Sequence, residues 1–301
     1  MDKLVEREVA TRNSLAAAPA LAVQFFLIPL AVVAITALVY LGFRMMVTDD
    51  RSAQDYLAEI RTGGSNRRWP AAYELSRLMA DPQVRSRDKT LAPGLIRAFE
   101  ASKGDDPRVR RYLALALGRL DPPLPSEAAR LLTEALEDAD SETRISAIWA
   151  LGSAGGATVV PSLQRMYEST DSGIRKITVY ALGALPGEAQ IQTLRAALND
   201  SAPDVQWNAA VALARHRDRE SIRVLRRMLD RDYVNDAVKI PARPDEDTDP
   251  VGDVMITGLR AVGALKDESL RERVTALSKT DRSLRVRQAA IDALRAMNGQ
   301  A

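Results

Sequence analysis

Side chains able to do acid–base, nucleophilic or metal chemistry are few in this 301-residue chain. It has no cysteine and a single histidine, which excludes thiol catalysis, disulfides and cysteine-ligated metal centres. The histidine, His216, lies in the charged run Arg215-His216-Arg217-Asp218. That is the setting of a solvated loop residue, not of a base or ligand held by oriented partners. Asp245, Glu246, Asp247 and Asp249 form an acidic cluster, but it lacks the ligand spacing and glycine of an EF-hand loop. What does recur is an aspartate four residues ahead of an arginine: Asp106/Arg110, Asp140/Arg144 and Asp171/Arg175. Such an aspartate can cap a helix start, and an arginine fork pairs bidentately with carboxylates. This is the chemistry of a structural seam. The sequence therefore predicts no catalytic residue, no metal, no cofactor and no small-molecule substrate; the chain reads as a non-enzyme.

The elements that would position such a seam show up as internal repeats. Residues 109–118, VRRYLALALG, recur as 143–152, 174–183, 205–214 and 286–295, with degenerate copies at 67–76 and 254–263. The ninth positions are Leu75, Leu117, Leu151, Leu182, Leu213, Val262 and Leu294, at intervals of 42, 34, 31, 31, 49 and 32. A period near 31 holds two short helices and two turns. Residues 92–100, 127–136, 160–167, 191–198, 222–229 and 270–277 carry the three- and four-residue apolar spacing of the partner helices. Low aromatic content, 5%, and frequent alanine favour close-packed helices over sheets. The pattern resembles the HEAT-like repeats of the phycobilisome-lyase type, whose second helix carries Asp-x-x-x-Arg-x-x-Ala-Ala-x-Ala-Leu-Gly. The resemblance covers residues 53–298 and implies an all-α solenoid of about seven helical hairpins. It also implies that the Asp/Arg pairs form a ladder between repeats, broken at Gln206 and Met255, with weaker adhesion there. Relatives of this type include bilin lyases as well as binding scaffolds, so the resemblance leaves a chromophore lyase-like activity as the alternative function.

Within each second helix, positions one, five, eight and nine form the buried side. Positions three and seven fall near 200° and 240°, on the opposite face. That face holds Trp69, Tyr73, Leu115, Ile145, Trp149, Tyr180, Trp207 and Val211. All three tryptophans are among them. A contiguous apolar and aromatic stripe on the concave side of a solenoid predicts a groove for a protein partner. Nucleic acid is not expected, because 42 basic and 40 acidic residues, net +2, are interspersed without a basic stripe. The long interval before Val262 contains residues 231–253, whose Pro241, Pro244 and Pro250 predict an irregular, partner-contacting loop.

Residues 21–43 carry no charge. As a helix they would rise about 35 Å, enough to span a hydrocarbon core of about 30 Å. The sequence thus predicts an N-terminal tail over 1–20, a transmembrane helix over 21–43, a juxtamembrane linker over 44–52 and the solenoid over 53–298. A single-pass inner-membrane protein is expected, its partner being a subunit of a membrane complex. Arg44, Arg51, Arg61, Arg67 and Arg68 outnumber Lys3, Arg7 and Arg12, which points to a cytoplasmic solenoid.

Overall fold

A computed structural model describes residues 27–47, 51–238 and 249–300, with the backbone alone at 43–47 and 87. The chain divides into two units, Met1–Ser52 and Ala53–Ala301. In the first, α1 (Ile28–Val47) is a 20-residue helix whose Leu30, Val33, Leu38 and Val39 side chains are exposed. Ahead of Arg44 it offers residues 28–43, a rise of about 24 Å against a hydrocarbon core of about 30 Å. Among the described residues, no helix is long and apolar enough to cross a membrane. The expected transmembrane span is corrected to that extent; its opening residues, 21–26, lie outside the described residues.

The second unit is built from helical hairpins, and among the described residues it contains no strand. The first helices are α2 (Ala53–Thr62), α5 (Leu91–Ala101), α7 (Ser126–Glu134), α9 (Val160–Met166), α11 (Ile191–Ala197), α13 (Ile222–Met228) and α16 (Arg271–Thr280). Their partners are α3 (Ser65–Leu78), α6 (Pro107–Leu117), α8 (Ser141–Ala154), α10 (Ser172–Ala184), α12 (Pro203–Arg215), α15 (Pro250–Leu265) and α17 (Leu284–Met297). Two further helices, α4 (Pro82–Arg87) and α14 (Arg231–Val238), account for the two long intervals in the repeat.

Local chemistry explains where the second helices begin. Asp106, Asp140 and Asp171 accept from backbone amides of the first turns of α6, α8 and α10, satisfying donors that a helix start leaves open. Pro107, Pro203 and Pro250 sit in first turns, where the missing amide costs nothing. Pro250 therefore opens a helix where the sequence suggested only an irregular loop. Residues 231–238 are helical too: Asp230 accepts from the Asp232 and Tyr233 amides, and Val234 is fully buried. The acidic residues 245–247 lie outside the described residues.

The apolar positions of the motif build one continuous core. Val109, Leu113, Ala116 and Leu117 are fully buried, as are Ala147, Ala150 and Leu151 in the next second helix. Successive second helices stack on one another along the array, and the tenth motif position sets how closely. A Cβ on Gly118, Gly152 or Gly183 would come within 2.6, 2.5 and 2.4 Å of Ala150, Ala181 and Ala212 respectively. Each of those alanines is the eighth residue of the following copy. The Ala-Leu-Gly ending is thus a steric device, a glycine of one repeat lying against an alanine of the next.

Candidate functional site

The aromatic stripe does not form one surface. Tyr73 and Tyr180 are the most open, 39% and 45% exposed, whereas Trp207 is 9% exposed and packs into the core. Trp69, Leu115, Ile145, Trp149 and Val211 are half-buried. Neighbouring helices cover the third position on α12 and leave the seventh on α10 open, so periodicity alone does not give exposure. The Trp207 indole nitrogen has no hydrogen-bond partner among the described residues, so this side chain contributes apolar volume and no polar anchor.

Three of the eight stripe residues do converge. Leu115, Ile145 and Trp149, joined by Ile177 from α10, line a cleft of about 620 Å³ whose other walls include Arg77 and Arg119. The Arg119 guanidinium lies 4.9 Å from the Trp149 ring centre. Arg77 lies 5.9 Å from the Tyr73 ring, which meets Tyr112 edge-on at 5.1 Å. Arg108 covers Trp69 at 4.6 Å. Cations over aromatic faces hold the rings in place and leave donor groups at the rim. Arg77 is engaged by Glu74 at 2.9 Å; Arg119 has no ion pair among the described residues. The cleft therefore offers an apolar floor with a cationic edge, suited to a side chain or short chain segment. Among the described residues, no group of three His, Asp or Glu side chains could hold a metal ion.

The Asp/Arg motif works differently from a pairing within each repeat. Asp106, Asp140 and Asp171 serve as helix caps. Two of the arginines, Arg110 and Arg175, instead bridge their own inter-helix turn to the next one. Arg110, 6% exposed, donates to the Phe99 carbonyl at 3.1 Å and to Asp138 of the following turn at 2.6 Å. Arg175 donates to the Ser169 and Thr170 carbonyls and grips Asp200 bidentately at 2.8 and 2.9 Å. Arg144 reaches only carbonyls, of Asp138 and Ala139, because Ser169 stands where its carboxylate would be. Asp140 also accepts a fork from Arg111, both contacts at 2.6 Å. That side-chain bond, with Thr143 assisting, holds the Asp140 carboxyl well below the usual range. Arg175 does the same for Asp200. Burial, followed by the Asp200 charge, pushes the nearby Tyr167 phenol up to about 12.

The comparisons with known proteins agree with this architecture. The family model for HEAT repeats matches residues 93–183 and 168–242. Residues 93–242 are thus HEAT-like repeats. No curated protein matches the chain by sequence. Among solved structures, the CpcE–CpcF complex of phycocyanin lyase from Nostoc sp. PCC7120 is similar at 17% identity and a TM-score of 0.52, covering 85% of this chain and 97% of that one. A designed armadillo repeat protein in complex with the peptide (KR)4 is similar at 14% identity and a TM-score of 0.45, covering 83% and 100%.

Within the HEAT-like solenoid, sequence reasoning missed Arg119 and Ile177 at the cleft and Asp138 and Asp200 at the seam. Arg119 was findable, since it continues the stripe from positions three and seven to eleven, one further turn of the same face. The two carboxylates were not. They sit two residues ahead of each cap region, in turns whose length varies between repeats.

Proposed function

We propose that the HEAT-like solenoid is a protein-interaction scaffold and that the cleft around Trp149 is where a partner segment seats. The observation that carries this reading is the coincidence of Leu115, Ile145, Trp149 and Ile177 in one open cleft edged by Arg119. A half-exposed tryptophan next to an arginine is the composition of interface hot spots. Substituting Trp149→Ala together with Leu115→Ala and recovering bound proteins by crosslinking from native extracts tests it. Loss of a specific partner with unchanged circular dichroism is expected. Undiminished recovery of every partner would refute the cleft.

We further propose that residues 21–43 tether the scaffold to the inner membrane, with the solenoid on the cytoplasmic side and a subunit of a membrane complex as its partner. The uncharged composition of that segment and the exposed apolar side chains of α1 support this. A tether would raise the local concentration of solenoid beside membrane proteins, so that modest affinity suffices. Extraction at alkaline pH is the test; complete release of the full chain into the soluble fraction would refute the tether. A lyase-like activity is the second reading, raised by the fold likeness to the phycocyanin lyase complex. Absence of any spectral change on tetrapyrrole titration would remove it.

A further inference from the structure

The helix α14 that interrupts the repeat creates a second cleft, of about 760 Å³, along the outer helix α13. Its walls carry Arg219, Arg223, Arg226 and Arg227, closed on one side by Tyr233 of α14. Arg219/Arg223 and Arg223/Arg227 are like-charge pairs four residues apart, an arrangement that repels. Two other first helices neutralise an arginine locally: Arg130 of α7 lies between Glu127 and Glu134, and Arg271 of α16 pairs with Glu268. Along α13 this compensation is missing. Arg219 is engaged by Asp267 at 2.8 Å, but among the described residues Arg223 contacts only neutral oxygens of Asn199 and Leu198. Arg227 lies 5.6 Å from the Tyr233 ring, and Arg226 has no ion pair among the described residues.

Two carboxylates also line the cleft. Asp230 accepts from the first amides of α14 and sits 3.3 Å from Arg273. Glu220, exposed at the rim, is the remaining opposing charge among the described residues. Three guanidiniums against one carboxylate leave an excess of two positive charges around an open volume. Arginine forks match the geometry and charge of phosphoryl oxygens.

We propose that this cleft binds a phosphate-bearing ligand, with Arg223, Arg226 and Arg227 as the donors and Tyr233 as the wall that fixes Arg227. Binding at this face is separate from the Trp149 cleft and does not depend on it. The probe is inorganic pyrophosphate, titrated calorimetrically into the full-length chain at low ionic strength. One saturable site is expected, weakened at least about tenfold in Arg226→Gln/Arg227→Gln, since charge-assisted bonds dominate such a site. Glu220→Gln should tighten binding by about two- to threefold by removing the opposing charge; a merely structural role for these residues predicts no such gain. A parallel arm floats the full chain with phosphatidylcholine vesicles, with and without phosphatidic acid. A phosphatidic acid preference lost in the double variant assigns the phosphate to a lipid headgroup, and pyrophosphate binding without that preference assigns it to a soluble ligand. The proposal is overturned if neither probe binds, or if the double variant binds both as the parent does.

Discussion

Replacing Gly152 by alanine isolates the contact that sets the spacing of the repeats. Gly152 is near the end of α8, where alanine is intrinsically favoured over glycine by about 0.5–1 kcal/mol. On propensity alone Gly152→Ala would stabilise. The added Cβ, however, would lie 2.5 Å from the Ala181 Cβ and 2.6 Å from its Cα. Carbon atoms approach favourably at about 3.5–4.0 Å, so α8 and α10 must separate by about an ångström. Neither atom belongs to a flexible side chain that could swing aside. Overpacking of this kind costs about 1–3 kcal/mol; its middle value less the propensity gain leaves about 1–1.5 kcal/mol of net destabilisation. The matched control is Gly94→Ala in α5, whose Cβ would meet only the Leu57 Cδ1 at 3.0 Å, the mobile end of a side chain. That variant should be neutral or stabilised by up to about 1 kcal/mol. Thermal unfolding followed by circular dichroism reads both: Gly152→Ala should melt about 2–6 °C lower, and Gly94→Ala no lower than the parent. Equal or higher stability of Gly152→Ala would refute the close-approach explanation of the Ala-Leu-Gly ending.

Arg110→Ala should destabilise by about 2–3 kcal/mol in urea unfolding, below the range for a fully buried pair because Asp138 keeps some solvent contact; a change under about 0.5 kcal/mol would mean that the seam does not carry cohesion. Trp207→Ala should cost about 3–5 kcal/mol as a core deletion without selectively affecting partner capture, whereas Trp149→Ala should do the reverse; interchanged behaviour would misplace the cleft. Asp140 and Asp200 have folded-state values below their unfolded ones. Their contribution is therefore complete above the unfolded value near 4 and is lost as pH falls through the folded value. The melting temperature should hold between about pH 7 and 5 and drop below about pH 4, and Asp200→Asn should shrink that drop. An unchanged acid limb in this variant would remove Asp200 from the account.

The legibility of this fold follows from which interactions are local in the chain. Caps and buried faces are set by residues three or four apart, so Asp140 before α8 and the Val/Ala/Leu positions could be read directly. The stripe was half legible, because a helical wheel gives the direction of Trp207 and Tyr180 but not what the next helix covers. One points into the core and the other to solvent at the same period. Cross-repeat contacts were least legible. Arg110 meets Asp138, 28 residues on, and turn length decides that register. The weak point expected at Gln206 and Met255 shows the same limit.

Gln206 does lose the carboxylate grip, donating only to the Asp200 carbonyl at 2.6 Å. At the following step, where Met255 can donate nothing, the missing guanidinium arrives from outside the motif. Arg231, the first residue of α14, donates to Asp281 at 2.8 and 3.2 Å and to Asp249, the cap of α15, at 3.2 Å. Asp281 stands two residues ahead of the α17 cap, the place Asp138 and Asp200 hold in their turns. The inserted helix thus restores the seam between α15 and α17 through Arg231, while two residues later Tyr233 closes the arginine-lined cleft on α13. One short helix has both contacts, so a substitution that frees α14 should disturb the two together. Arg231→Ala should therefore lower stability and also loosen the cleft wall. An insertion that only decorated the surface would tolerate the change, because nothing else would lean on it.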